Sequence, residues 1–204
     1  MFEEFPKTFP IQDGKTARIR PLEKQDKKKL LDFFKRLPEK DRMFLKEDVT
    51  DPEIINRWFR QMDHTRVIPL IVEAENLIIA DGTLHLDKYG WSRHIGEIRL
   101  VVDKNFRKQT VGLHLVRELY FLAMKSKLEK LIAEMMLSQK QAIKIFKGLG
   151  FKEEAILKNH VKDLAGHKHN LVIMTHSVRT HWDELENMIA DYFDDFSGDF
   201  TGSE

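Results

Sequence analysis

The chain has 204 residues, 42% of them hydrophobic and 33% charged: enough for one domain with a buried core, and too apolar for a disordered chain. It has no cysteine, which excludes disulfides, cysteine-based zinc sites and a cysteine nucleophile. Net charge is +1, yet residues 180–204 carry eight acidic groups and no Lys or Arg, which leaves +9 on the rest. A basic body suits a ligand with several phosphates. The lysines are scattered without interleaved aromatics, so nucleic acid is not an expected partner. No stretch has the eighteen consecutive apolar residues of a membrane span, and no membrane association is expected. The opening MFEEFPKTFP lacks the apolar core of a secretory signal, and the expected location is cytoplasmic.

Residues 1–14, with Pro6 and Pro10, are read as a loosely attached arm. Lys15 to Arg20 alternates as a strand, and Pro21 to Leu37 reads as a helix with Leu30, Leu31, Phe34 and Leu37 on one face, ended by Pro38. Asp51-Pro52 opens a second helix, Asp as cap and Pro at the first helical position, with Ile54, Ile55, Trp58, Phe59 and Met62 on one side. Val67–Glu73 and Leu77–His85 are apolar runs joined by a hairpin-length link. Ile95 to Val102 alternates, placing Ile98, Leu100 and Val102 on one face and Glu97, Arg99 and Val101 on the other. A basic link follows with Arg107, Lys108 and Gln109. A helix then begins, with Leu115, Val116, Leu119, Leu122 and Ala123 as its buried stripe. Lys130–Met136 is the next strand, parallel to 95–102 through a right-handed helical crossover. Ser138–Lys147 reads as a short helix, and Phe151–Leu157 and Leu171–Val178 as a final antiparallel ribbon joined by Lys158–Asn170. Thr180–Phe196 reads as an acidic amphipathic helix that packs on this domain or on a partner subunit, and 197–204 as a frayed tail.

The strand–basic turn–helix unit has a chemical use. The first amides of a helix lack internal partners and carry partial positive charge, so a turn that gathers them beside Arg and Lys makes a seat for phosphate oxygens. Residues 107–112, Arg-Lys-Gln-Thr-Val-Gly, resemble the Arg/Gln-x-x-Gly-x-Gly/Ala signature of the GNAT superfamily, the GCN5-related N-acetyltransferases. Arg107 and Gly112 match, and Thr110 stands where the first glycine is usual. The family's Asn-x-x-Ala-x-x-x-Tyr-x-x-x-Gly-Phe frame is similar to Gln139, Ala142, Phe146, Gly150 and Phe151, intact over thirteen positions. Ile19-Arg20-Pro21 and the final ribbon resemble the branches acting on ribosomal-protein N-termini and on protein lysines.

The resemblance implies an α/β fold with a mixed, mostly antiparallel sheet around a central parallel strand pair flanked by helices, over residues 15–178, with residues 179–204 as an extra C-terminal helix and tail. It implies acetyl-CoA as co-substrate and no metal; the histidines 160, 167, 169 and 176 lack helical ligand spacing. Cofactor contacts are expected from Arg107, Lys108, Gln109, Thr110, Val111, Gly112 and Leu113 at the turn, from the Val101 or Val102 amide as donor to the thioester carbonyl, and from Gln139 and Phe146. Phe146 replaces the family's proton-donating Tyr and has no proton to give. Glu97 is the expected catalytic base, with a raised pKa among apolar neighbours; His94 and Glu134 are secondary candidates. The acceptor is an amine-bearing protein or small molecule, attacked directly in a ternary complex. The alternative is a GNAT-fold module that binds acyl-CoA as a sensor or scaffold. A third reading gives the work to the acidic C-terminal helix, binding a partner. A homodimer would form through that helix or a sheet edge.

Overall fold

The computed structural model describes residues 2–107, 110–163, 165–178 and 187. Eight strands form one sheet: β1 (Lys7–Pro10), β2 (Thr16–Pro21), β3 (Val67–Ala74), β4 (Leu77–Leu86), β5 (Ile95–Val102), β6 (Lys130–Met136), β7 (Lys152–Lys162) and β8 (Lys168–Ser177). Their spatial order is β1-β2-β3-β4-β5-β6-β8-β7. Only β5 and β6 are parallel; every other pair is antiparallel. The helices are α1 (Lys27–Arg36), α2 (Glu39–Arg42), α3 (Pro52–Gln61), α4 (Val111–Lys125) and α5 (Lys140–Gly148).

The sheet divides two apolar layers. On one face α4 and α5 bury Leu115, Leu119, Leu122, Ile143 and Phe146 against Ile68, Leu84 and Ile98. On the other, α1 and α3 bury Phe33, Phe34, Ile55 and Phe59 over Ile71 and Ile78. The approach of α4 is close: a Cβ on Gly82 would stand 2.8 Å from the Leu115 side chain, so only hydrogen fits there. Among the described residues no helix is long and apolar enough to cross a membrane.

Three boundaries differ from the sequence reading. The supposed loose arm contributes β1, because Phe9 and the following Ile11 drop into the α4-side core. The first helix starts at Lys27 rather than Pro21, because β2 runs through Pro21 and Glu23 and Asp26 then cap each other, Glu23 N donating to Asp26 Oδ2 at 2.9 Å. The final ribbon is longer than expected, since Asp163 ties its turn by accepting His167 N at 2.9 Å and meeting His169 Nε2 at 2.8 Å. The expected helix at 180–196 lies outside the described residues.

Candidate active site

The site begins with a parting of strands. β5 and β6 pair at Ile95↔Lys130, Gly96↔Leu131 and Glu97↔Ile132, and there they stop. β5 stays with β4 as far as Ala80↔Val102, and β6 stays with β8 as far as Met136↔Leu171. The inner edges therefore diverge and leave main-chain donors and acceptors without a strand partner across the gap. Such a wedge admits an extended ligand arm as a pseudo-strand, and the Val101 and Val102 backbone borders it.

At the head of the wedge stands the turn into α4. Asp103 starts it, its side chain accepting Asn105 N at 3.0 Å. Thr110 is the α4 N-cap and takes a left-handed conformation, φ 62° and ψ −3°, the backbone a glycine would supply. The first intrahelical bond runs from His114 N to Thr110 O at 3.0 Å. The amides of Val111, Gly112 and Leu113 thus precede the helical ladder and sum at the positive end of the helix. A Cβ on Gly112 would meet Val102 Cγ2 no closer than 3.6 Å, so this position takes Gly or Ala alike. Arg107 donates from Nε to Val102 O at 3.1 Å and pairs with Asp41 of α2 through Nη2 at 2.9 Å. Lys108 and Gln109 lie outside the described residues. These groups fit a pyrophosphate: first-turn amides with no partner among the described residues, one guanidinium held by the largely buried carboxylate of Asp41, and a left-handed cap at Thr110.

The other side of the wedge carries charge. The β4–β5 register sets Asp81 opposite Val101, Thr83 opposite Arg99 and His85 opposite Glu97. These six share the sheet face opposite Gly82 and α4. Arg99 grips Glu97 with two bonds, Nε to Oε1 at 2.9 Å and Nη2 to Oε2 at 2.6 Å. Lys46, from the link between α2 and α3, reaches Glu97 Oε1 at 2.6 Å and Glu134 Oε2 at 2.8 Å. Burial pushes the Glu97 carboxyl up, but the bonds from Arg99 and Lys46 outweigh it and hold it at about 2. The raised pKa expected for Glu97 is thereby corrected: its neighbours are cations, not apolar groups. Asp81 has the shift that Glu97 lacks. It is only partly accessible, and burial pushes its carboxyl up to about 7. His85 is held at about 4 by burial and by Arg99, so it is neutral at working pH; its Nε2 lies 2.9 Å from Thr83 Oγ1.

The remaining sequence-chosen residues sit apart from this face. Gln139 folds back, Oε1 accepting Met136 N at 2.8 Å. Phe146 is buried edge-on to Phe151, centroids 4.9 Å apart. His94 closes the loop before β5, its carbonyl accepting Glu129 N at 2.8 Å. Asp81 and Lys46 were missed. For Asp81 a signal existed: Asp81, Thr83 and His85 alternate with Gly82 and Leu84, which marks a strand with one polar face. Lys46 sits in an irregular link, where no period points to a neighbour. No group of side chains among the described residues is arranged to hold a metal ion.

The fold has close structural parallels. An acetyltransferase of the GNAT family from Streptococcus pneumoniae superposes with a TM-score of 0.69 at 20% identity, covering 79% of this chain and 99% of that one. A ribosomal-protein-S5-alanine acetyltransferase from Vibrio fischeri gives 0.72 at 14%, covering 85% and 98%. YncA from Salmonella typhimurium, solved with its cofactor acetyl-CoA, gives 0.69 at 15%, covering 81% and 95%. No curated protein matches the chain. The family model described as Acetyltransferase (GNAT) family matches residues 30–151, a span that runs from α1 through the strand wedge and the α4 turn to the end of α5. More than half of the sequence thus fits the family model, in a span that holds the residues of β5, β6 and the α4 turn: the chain belongs to the acetyltransferase (GNAT) family.

Proposed function

We propose that this protein is a cytoplasmic N-acetyltransferase that moves acetyl from acetyl-CoA to a primary amine of a protein or small molecule, by direct attack in a ternary complex. The observation that carries the reading is the wedge beyond Glu97↔Ile132 with the α4 amides at its head. Acetyl-CoA supplies the activated acyl group. The α4 amides and Arg107 hold its phosphates, and the wedge takes its arm. The Val101 or Val102 N–H receives the carbonyl oxygen as it gains charge. Asp81 lies across from Val101 and titrates near 7, so it suits the amine's proton. Glu97 stays ionised throughout; its part is to orient a cationic acceptor. The C–N bond forms, the C–S bond breaks, and CoA leaves as a thiolate, since Phe146 offers no proton.

A second reading is supported by Phe146 and by the cation already seated on Glu97: a GNAT fold that binds acyl-CoA and turns it over slowly or not at all. Incubation with labelled acetyl-CoA, a panel of amines and a protein lysate separates the two. Release of CoA with a labelled product supports the enzyme; tight CoA binding without release supports the binding module.

A further inference from the structure

Lys46 sets a primary amine at the mouth of the strand wedge. Its ammonium sits between Glu97 of β5 and Glu134 of β6, at the point where those strands part. This is no stray surface lysine. Leu45 before it packs on the α1–α3 core, and Glu47 after it accepts Trp58 Nε1 at 2.7 Å and pairs with Arg57. Five residues upstream, Asp41 is pinned to Arg107 of the α4 turn. The link is thus held at the turn, in the core and on α3, with one primary amine aimed at the wedge. The Lys46 side chain remains 44% exposed to solvent.

We propose that Lys46 is an acetylation site of this protein, modified in cis by the chain's own bound acetyl-CoA; the proposal rests on the acetyl-CoA reading above. The Lys46 ammonium first gives a proton to Glu134, which passes it to water. The neutral amine, on its flexible four-carbon stem, swings along the sheet face toward the Val101 amide and attacks the thioester carbon. The new C–N bond replaces the C–S bond, the second amine proton goes to Asp81, and CoA leaves as its thiolate. The product is a neutral amide that cannot hold two carboxylates. Glu97 and Glu134 are then released to receive a cationic acceptor.

The test is peptide mass mapping of the full chain after incubation with acetyl-CoA at several protein concentrations. Acetylation of Lys46 is expected at a rate independent of protein concentration. It should be at least tenfold faster than at Lys27 and Lys28 on the exposed side of α1, and at least tenfold slower in Glu134→Gln. Should that variant not fold, the concentration series and the contrast with Lys28 decide in the wild-type chain. Lys46 labelled no faster than Lys28, while CoA still raises the melting temperature, overturns the proposal and leaves the acetyl-CoA reading intact. No response to CoA at all overturns both, at their shared root.

Discussion

Thr110 holds a left-handed backbone at the head of α4, with φ 62°. An L-residue with a side chain pays roughly 1–2 kcal/mol there, and glycine does not, though glycine gives back part of that through a looser unfolded chain. Thr110→Gly is therefore expected to stabilise the protein by up to about 1 kcal/mol, read as a higher denaturant midpoint. A lower midpoint would show that the threonine side chain holds the turn. Proton affinities separate the two carboxylates on the sheet face. Asp81 ionises near 7, so kcat/KM should rise with pH through that value. Asp81→Asn should lower kcat/KM by about 100-fold or more and abolish the rise. Glu97 is ionised far below this range, so Glu97→Gln should weaken turnover of cationic amines and keep the inflection. An inflection lost in Glu97→Gln and kept in Asp81→Asn would reverse the two roles. The sequence reading chose Glu97 from its place on the alternating strand together with the family resemblance. It could not find the cations around it, because Lys46 comes from a link 51 residues away with no periodic signal.

At the scale of elements, β2, β3 and the approach to α1 are locked by one buried cation. Arg20 gives Nη1 to Asp26 at 2.6 Å and Nη2 to Glu73 at 2.8 Å, with its side chain 10% exposed. Arg20→Met would take its cation from buried Asp26 and leave Glu73 only Arg18 and Lys29, and should cost about 3–5 kcal/mol, measured by equilibrium unfolding. The same contact sets an acid limit. Burial pushes the Glu73 carboxyl up, but Arg20 and Arg18 outweigh it and hold it at about 2, against its ordinary 4.5. Its contribution is complete above 4.5 and fades as pH falls toward about 2. Arg20→Met should make that part of the stability profile shallower, Arg18 and Lys29 keeping the rest; an unchanged profile would contradict the assignment. Elements with strong local signals were legible beforehand: the Asp51 cap with Pro52, the β5 alternation, the crossover through α4. Those that depend on distant partners were not. β1 is four residues long and gains its place only from β2 and the α4 core, and the β7–β8 turn depends on Asp163 meeting His169.

On the scale of the whole molecule, one sheet separates two tasks. The α4 face supplies the rigid core and the helix terminus proposed to hold phosphate. The opposite face leaves Asp81, His85, Glu97 and Arg99 beyond the cover of α1 and α3, beside the link that carries Lys46. Arg107 touches both, tied to Asp41 on one side and reaching Val102 on the other. The central claim is that the α4 amides and the β5–β6 wedge hold coenzyme A. The direct measurement is the melting temperature of the purified chain across a coenzyme A titration. At a hundredfold excess over Kd, binding to the folded state alone adds about 2.7 kcal/mol, a rise of roughly 5–10 °C for a chain of this size. A rise that saturates with coenzyme A agrees with the account; an unchanged melting temperature up to millimolar coenzyme A contradicts it.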